Sequence, residues 1–300
     1  MAKICITGCN GLLGQKLVEK CIPHYDVWGI GTKTNFVGSH KIVYSQQDLR
    51  NTEYTLRQLK LHKPDIVINT AALTQVDQCE TQRELAYSSN VKIVKNLISG
   101  AVYGYQLVQI STDYIFNGES DRPYDEDDPC APVNFYGNTK LEAEQLIQSA
   151  AIPSLICRTA VLIGTGRGVK KNFALWLFEE LKAKKKVGIV DDQISNTTLA
   201  ENLADMVLAL IHVQARGVYH TAGSEILSRY DFAIQMARHY KFDLHLIEKK
   251  KTTDLKQSAQ RPRYSGLSVE KFIKRFPSVP LLNVVQQLDF LKKQLSNSKF

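Results

Sequence analysis

Residues 3–17 read KICITGCNGLLGQKL, and this stretch decides the fold class. The apolar run KICIT predicts a short buried strand, and the residues from Leu12 to Cys21 predict the first helix. Gly8, Gly11 and Gly14 lie at the junction. Glycines there permit a tight turn, let the backbone approach a pyrophosphate and let the helix pack closely on the strand. Because amides at a helix N-terminus point towards phosphates, the stretch predicts a dinucleotide-binding turn.

The first half of the chain continues this alternation of apolar strands and helical segments. Strands are predicted at VWGIG, HKIVY, DIVINTA and LVQIST, with helices over 52–62 and 81–103. A loop rich in Pro and Asp, RPYDEDDPCAPVN, precedes a predicted helix over about 135–150 and a returning strand, SLICRTAVLIG. The alternation predicts a parallel sheet with helices on both faces.

The predicted fold is therefore α/β, a Rossmann-type doubly wound parallel sheet with a smaller C-terminal substrate lobe. Residues 1–169 are assigned to the dinucleotide-binding domain, with strand contributions from about 187–220. Residues 170–300 are assigned mainly to the substrate-binding lobe. A chain of 300 residues is long enough for both.

Composition narrows the functional classes. Hydrophobic residues make up 44% of the chain and charged residues 23%, as is usual for globular proteins. The net charge of +8 comes partly from runs at 182–186 and 249–251 that lack interleaved aromatics, so we expect no nucleic-acid partner. No apolar run is long enough to span a bilayer, and no signal-peptide pattern follows Met1, so we expect a cytoplasmic protein without a membrane partner. The expected assembly is a monomer or a homodimer.

The end of the second predicted strand bears on the choice of dinucleotide. An NAD-preferring site typically holds a carboxylate there for the ribose hydroxyls, whereas a basic residue accommodates the extra phosphate of NADP. The segment VWGIGTKTN offers Thr32 and Lys33, and no acid follows until Asp48. NADPH is therefore the predicted cofactor, with NADH possible. The alternative is that Lys33 is an ordinary exposed lysine of a loop.

Tyr136 and Lys140 form a Y-x-x-x-K pattern at the start of a predicted helix, which places both side chains on one face. An ammonium near a phenol favours the phenolate and lowers the pKa of the tyrosine, which suits proton exchange with a carbonyl undergoing reduction. Thr112 ends the strand LVQIST and offers a hydroxyl to the same oxygen. A Y-x-x-x-K pattern alone is weak evidence. Here it follows the glycine turn and the strand that ends in Thr112, in the order that one βαβ arrangement requires, and this order makes it specific.

The chain resembles the extended short-chain dehydrogenases/reductases, and within them the dTDP-4-dehydrorhamnose reductase branch. The matching segments are ITGCNGLLG, NTAALTQVDQCE, STDYIFNG, YGNTKLEAE, VDDQ, GVYHTAGSEILSRYDFA and RPRYSGLSVEKF, in family order over nearly the whole chain. The resemblance implies an oxidoreductase that uses NAD(P)H to reduce a 4-keto group on a nucleotide-diphosphate deoxysugar.

The resemblance also implies site residues. Together with the glycine turn it assigns the catalytic roles to Thr112, Tyr136 and Lys140. The cofactor residues are Gly8, Asn10, Gly11, Leu12, Leu13, Gly14, Thr32, Lys33, Asp48, Leu49, Ala71, Ala72, Thr74, Asn90, Tyr136 and Lys140. The substrate residues are Val76, Asp113, Asn172 and Arg261. Asn90 and Arg261 also have plainer interpretations, as a buried amide that ties backbones together and as a surface arginine.

Three departures from the branch pattern concern the substrate and a metal. Val161 stands in RTAVLIG where the branch commonly has an aromatic residue, and DQISNTT replaces DQ-x-G-x-P-T. Lys16 occupies a position where some bacterial members carry an acid linked to magnesium, so no metal is predicted. Two other functions stay open: a non-catalytic cofactor-binding subunit similar to the regulatory subunit of methionine adenosyltransferase, and a nucleotide-sugar epimerase or dehydratase.

Overall fold

The computed structural model describes residues 1–297, which contain thirteen β-strands and eleven α-helices. The strands are β1 (Lys3–Thr7), β2 (Asp26–Gly31), β3 (Val43–Gln46), β4 (Ile66–Asn69), β5 (Gln106–Thr112), β6 (Ser154–Thr159), β7 (Leu162–Ile163), β8 (Val187–Val190), β9 (Ile194–Asn196), β10 (Thr198–Leu199), β11 (Gly217–His220), β12 (Ile226–Ser228) and β13 (Ile247–Lys250). The helices are α1 (Leu12–Cys21), α2 (Thr52–His62), α3 (Val76–Thr81), α4 (Arg83–Tyr87), α5 (Ile93–Gly100), α6 (Phe135–Ser149), α7 (Phe173–Lys182), α8 (Ala200–His212), α9 (Arg229–Tyr240), α10 (Glu270–Arg275) and α11 (Val284–Asn297).

Seven strands form one parallel sheet in the order β11-β6-β5-β4-β1-β2-β3. The chain starts in the middle at β1, winds outwards to β3, and then returns to β4 on the other side. This is the doubly wound arrangement predicted from the sequence, and the fold class is confirmed. In such sheets ligands bind beyond the carboxyl ends of the strands, where the winding direction reverses. In this chain the reversal lies between β1 and β4.

Two apolar layers cover the faces of the sheet. On one face α1 and α8 pack against β1, with Leu17 and Val207 fully buried. On the other face α2, α5 and α6 cover the sheet, and Trp28 and Leu97 are buried there. Strands covered on both faces read as continuous apolar runs, which explains why IVIN of β4 lacks alternation.

A further core lies in the C-terminal half, where α7, α9 and α11 pack around β8 and β13, with Phe232 and Leu288 buried at its centre. Within the segment 187–220, β11 joins the large sheet, whereas β8 pairs with β13 outside it. We keep residues 170–300 as the proposed substrate lobe, and its last three residues lie outside the described range. No helix among the described residues is long and apolar enough to cross a membrane.

The single helix predicted over 81–103 is wrong. Helical structure begins at Val76, breaks at Gln82 and contains a π-turn over Ser88–Lys92 before α5. The side chain of Asn90, inside the π-turn, accepts a hydrogen bond from Leu73 N at 2.8 Å and donates one to Leu73 O at 3.1 Å. A π-turn inserts one residue into a helix, which lets this amide reach the neighbouring loop.

The strand predicted at SLICRTAVLIG is interrupted. β6 ends at Thr159, and the short β7 pairs with β10 outside the large sheet. Between them Val161 has φ +33°, a backbone region that β-branched residues rarely occupy. Because the sequence pattern does not report such a reversal, the apolar run reads as one strand.

Candidate active site

Two cavities lie along the carboxyl edge of the sheet. The larger, about 470 Å³, contains the catalytic residues predicted from the sequence, and the smaller, about 270 Å³, lies towards β2 and β3. Both are lined by Ala72, at the point where the winding direction of the sheet reverses. The two cavities therefore follow the path that an extended dinucleotide takes across such a sheet.

The glycine turn between β1 and α1 fits a pyrophosphate. Gly8 has φ +62°, and a Cβ there would lie 2.8 Å from Ala71 N. A Cβ at Gly14 would lie 2.4 Å from Gly8 O, so only glycine permits this close packing. The first turn of α1 has neither a side-chain cap nor an acidic residue. Its amides are therefore available to phosphate oxygens.

The smaller cavity brings together several residues predicted to contact the cofactor. They are Gly8, Thr32, Asp48, Leu49, Ala71 and Ala72. The sequence interpretation missed Arg50, which lines the same cavity and forms a salt bridge with Asp48, Nη2 to Oδ2 at 2.5 Å. Hydrogen bonding to Arg50 lowers the pKa of Asp48 below its usual value. A basic residue in the segment DLR is the signal that could have indicated it.

Two other predicted cofactor residues lie outside the lining of both cavities and support the loop after β2. The Lys33 ammonium donates to Gly168 O at 2.9 Å, which links this loop to a distant one. The Asn10 side chain accepts from Val37 N at 2.9 Å and donates to Asn35 O at 3.2 Å. Contact between Lys33 and a cofactor phosphate remains a prediction.

The larger cavity gathers the predicted catalytic side chains from two elements. Thr112 ends β5, and Tyr136 and Lys140 lie one turn apart on α6. The helix begins where Asn134 caps it, because Asn134 Oδ1 accepts a hydrogen bond from Gly137 N at 2.8 Å. The Thr112 hydroxyl is close enough to Tyr136 to oppose the rise in its pKa. Gly11, Leu12, Leu13, Gly14, Ala72 and Thr74 line the same cavity.

The pKa values of Tyr136 and Lys140 differ from those expected from the sequence. Burial raises the pKa of Tyr136, and Lys140 is not among the main groups that oppose this rise. The Lys140 ammonium donates to Ile110 O at 2.6 Å. Burial lowers the pKa of Lys140 to about 8, although Glu144 partly opposes the shift. The expectation that Lys140 lowers the pKa of Tyr136 is therefore not met in this structure. The phenol stays protonated at neutral pH, which suits a proton donor.

Asp113, next to Thr112, is a buried acid at the floor of the cavity. Its Oδ1 accepts a hydrogen bond from the Thr112 hydroxyl at 3.0 Å, and its Oδ2 accepts one from Ser265 at 2.5 Å. Burial raises the pKa of Asp113 to about 6 despite these hydrogen bonds and the positive charge of Arg229. The acid is thus shared between the catalytic strand and a loop near the C terminus.

Asn90 lies beneath the site and outside the lining of both cavities. Besides its two bonds to Leu73, its amide donates to the Thr139 hydroxyl at 3.0 Å. It therefore joins the loop after β4 to the catalytic helix, which is the role of a buried amide that ties backbones together. Contact with the cofactor is not seen in these bonds and stays a prediction.

Arg261 is buried, with 9% of its side chain exposed, and its guanidinium forms a two-pronged ion pair with Asp77. The distances are 2.6 Å to Oδ1 and 2.7 Å to Oδ2. Arg261 also donates to Ala259 O at 2.6 Å. It therefore fixes the loop around 259–261 against α3, and the plainer interpretation as a surface arginine does not describe it.

The other predicted substrate residues separate into two groups. Val76 and Asp113 line the larger cavity, and so does Val161. Asn172 lines neither cavity; its Oδ1 accepts from Leu175 N at 3.2 Å and caps α7, and its amide donates to Gly164 O at 2.7 Å. Contact between Asn172 and a substrate stays a prediction.

Lys16, at the position discussed for a metal, pairs with Glu201 at 2.7 Å. Among residues 1–297 no group of three or more His, Cys, Asp and Glu side chains is arranged to hold a metal ion.

The sequence interpretation also missed three residues around the larger cavity. Tyr114 and Arg229 line it, and Ser265 reaches Asp113 beneath it. Tyr114 lies within the segment STDYIFNG, next to Thr112 and Asp113, and this position could have indicated it as a site residue. Arg229 and Ser265 are more than 100 residues from Thr112, and no local pattern marks them.

Comparisons with known proteins agree with this geometry. A family model described as the RmlD substrate binding domain matches residues 2–286. The spore coat polysaccharide biosynthesis protein SpsK of Bacillus subtilis is 32% identical over 270 residues, 89% of each chain. The dTDP-4-dehydrorhamnose reductase of Escherichia coli is 34% identical over 243 residues, 77% of this chain and 80% of the relative. A crystal structure of dTDP-4-dehydrorhamnose reductase from Bacillus anthracis in complex with NADP superposes with a TM-score of 0.88 at 28% identity, covering 98% of this chain and 100% of that one.

Proposed function

The chain belongs to the family of the RmlD substrate binding domain, and from this premise we propose that it reduces the 4-keto group of a deoxysugar carried on a nucleotide diphosphate. It is an NAD(P)H-dependent oxidoreductase. The observation that carries the reaction is the meeting of Thr112, Tyr136 and Lys140 in one cavity beside the glycine turn.

The cofactor is NADPH, which when bound supplies the hydride for the reduction. The compact turn at Gly8 and Gly14 and the uncapped first turn of α1 fit its pyrophosphate. Thr32, Asp48 and Leu49 would hold its adenosine end in the smaller cavity. Ala72 and Thr74 would lie along its path towards Tyr136.

In the proposed mechanism Tyr136 is the proton donor. Its raised pKa keeps the phenol protonated at neutral pH, so that it can protonate the carbonyl oxygen as negative charge develops there. Thr112 lies within reach of the same hydroxyl and orients it, while Asp113 fixes the Thr112 hydroxyl in turn. Lys140 is charged at neutral pH, and we propose that it stabilises the phenolate left after proton transfer once its ammonium turns from Ile110 O towards Tyr136.

The substrate end of the cavity lies beyond Tyr136. Val76, Asp113 and Val161 line it and would surround the sugar. Arg261 supports this end through Asp77 and the loop that it holds, so we propose that it shapes the substrate site rather than contacting substrate directly. Since Val161 offers no aromatic face, stacking cannot hold the sugar at this point.

The experiment that tests this function is oxidation of NADPH with a panel of nucleotide-linked 4-ketosugars. Turnover with at least one of them is expected, and Tyr136→Phe should lower kcat by two or more orders of magnitude while NADPH binding persists, because general acid catalysis contributes about 10²–10⁴-fold. Tyr87→Phe, on an exposed tyrosine that lines neither cavity, is the matched control. A Tyr136→Phe enzyme with wild-type kcat would contradict the assignment.

The same assay separates the two other functions. A cofactor-binding regulatory protein would bind NADPH without any turnover of the panel. An epimerase or dehydratase would convert a nucleotide sugar without net consumption of NADPH. Either result would replace the proposed reduction.

A further inference from the structure

Arg229 is a second guanidinium at the substrate end of the larger cavity. It is the first residue of α9, and its side chain lines the cavity with Tyr114, Asp113 and Val76. Its guanidinium lies over the ring of Phe173, 5.2 Å from the ring centroid. An aromatic face holds an arginine in place without using its hydrogen-bond donors.

The two arginines at this end differ in how their charge is matched. Both lie beside the Tyr114 hydroxyl. The guanidinium of Arg261 donates to both carboxylate oxygens of Asp77. Arg229 has no carboxylate within ion-pair distance in the described part of the chain, and its Nη1 is shielded from solvent without a hydrogen-bond partner.

Asp113 lies close enough to Arg229 to be affected by its positive charge, but does not form an ion pair with it. The two oxygens of Asp113 already accept hydrogen bonds from Thr112 and Ser265. Buried donors in proteins are nearly always paired, and a charged one is the costliest to leave unpaired. A guanidinium in this condition on a cavity wall therefore indicates an anionic group of the ligand, because its planar fork matches phosphate oxygens.

We propose that Arg229 binds the diphosphate of the nucleotide-linked substrate. This assignment rests on the proposed function and goes further, because it names the residue that recognises the anion.

The spacing within the cavity supports a diphosphate. The ring of Tyr114 lies 6.1 Å from that of Tyr136, and its hydroxyl lies beside Arg229. The ring of Tyr114 therefore lies beside both the proton donor and Arg229. In a pyranose the reacting 4-position and the phosphate-bearing 1-position are at opposite ends of the ring. A 4-keto group at Tyr136 would therefore direct the diphosphate to the far end of the cavity.

The test is calorimetric binding of dTDP and thymidine to the NADP-loaded enzyme and to Arg229→Gln and Arg229→Lys. Loss of a charge-assisted contact predicts roughly ten- to a hundredfold weaker binding of dTDP to Arg229→Gln, with thymidine affinity unchanged. Arg229→Lys should retain part of the dTDP affinity, since it keeps the charge but not the fork. Arg238→Gln, an exposed arginine at the other end of α9, is the matched control.

NADP affinity of each variant reports whether it has folded. Binding of dTDP to Arg229→Gln within twofold of wild type would overturn the proposal, and so would a wild-type enzyme that binds dTDP no better than thymidine. Because this readout needs no turnover, it separates the two proposals. Selective loss of dTDP binding would support the role of Arg229 even if no ketosugar were reduced, and unchanged binding would reject that role even if reduction were observed.

Discussion

The hydroxyl of Ser265 donates a hydrogen bond of 2.5 Å to Oδ2 of Asp113. Ser265 lies in a loop near the C terminus, whereas Asp113 directly follows the catalytic Thr112 at the end of β5. Asp113 in turn accepts from the Thr112 hydroxyl, so the loop acts on the catalytic strand through two hydrogen bonds. The C-terminal part of the chain therefore helps to orient the groups that perform the proton transfer.

We predict that Ser265→Ala lowers kcat by roughly tenfold with little change in NADPH affinity. The lost hydrogen bond to a charged group is of the class that contributes about 1.5–3 kcal/mol, and only part of that reaches the transition state. Steady-state kinetics with a nucleotide-linked ketosugar measure the change. Ser268→Ala, in the same loop, is the control, because its hydroxyl makes no hydrogen bond within the described residues. Equal kcat for the two variants would argue against a positioning role.

The pH dependence of kcat is expected to be bell-shaped. Lys140 has its pKa lowered to about 8, so it is charged below that pH and loses its proton above it, and kcat should fall on the alkaline side. The pKa of Asp113 is raised to about 6, so its carboxylate becomes protonated below that pH. The protonated acid no longer holds the Thr112 hydroxyl as a charged acceptor does, and kcat should fall on the acid side. A pH profile of kcat measures both limbs. In Asp113→Asn the acid limb should disappear, and its persistence would assign that limb to another group.

The parts of the site that the sequence predicted are those with a local signature. The glycine turn is recognisable in the sequence because Gly8 and Gly14 each lie where a Cβ would collide with backbone atoms, so that both positions require glycine. Tyr136 and Lys140 are recognisable because residues four apart share one face of a helix. The alternation of strands and helices likewise predicted the order of winding, since βαβ connections leave few alternatives.

The remaining features depend on contacts between distant segments. Arg229 and Ser265 reach the cavity only because the C-terminal segments fold back over the sheet. The π-turn at Asn90 forms because its amide finds Leu73 and Thr139, neither of which is adjacent in sequence. The hydrogen bond from the Lys140 ammonium to Ile110 O is likewise not revealed by the spacing of Tyr136 and Lys140.

Val161 gives a prediction about stability. Its φ of +33° is unfavourable for any residue with a Cβ, by about 1–2 kcal/mol. Val161→Gly should therefore be more stable than Val161→Ala by about 1 kcal/mol, the reverse of the usual order. Urea denaturation midpoints measure the difference. Val218, a half-buried residue of β11 without a positive φ, is the comparison site, and there alanine should be the more stable substitution.

Cofactor preference gives another test. NADPH should bind more tightly than NADH, and Lys33→Ala should remove most of the difference, because one exposed charged contact to a phosphate contributes on the order of 1.5–3 kcal/mol at best. Lys33 is exposed, and its ammonium donates one hydrogen bond, to Gly168 O, which a cofactor phosphate can replace. Fluorescence titration of both cofactors gives the ratio, with the exposed Lys41→Ala as control. An unchanged ratio in Lys33→Ala would contradict the role of Lys33 and would make Arg50, which lines the smaller cavity, the next residue to test.

The last prediction concerns the substrate's remote group. If the nucleotide diphosphate is recognised far from the reacting carbonyl, its binding energy positions that carbonyl beside Tyr136, so that removing it lowers kcat as well as raising KM. A free 4-ketosugar should then have a kcat/KM several orders of magnitude below that of its nucleotide-linked form. Val161 sharpens the contrast, because at this position of the cavity wall no aromatic face is present to hold the sugar ring. Comparable kcat/KM for the two forms would show that the diphosphate does not help to position the carbonyl, and would contradict this prediction.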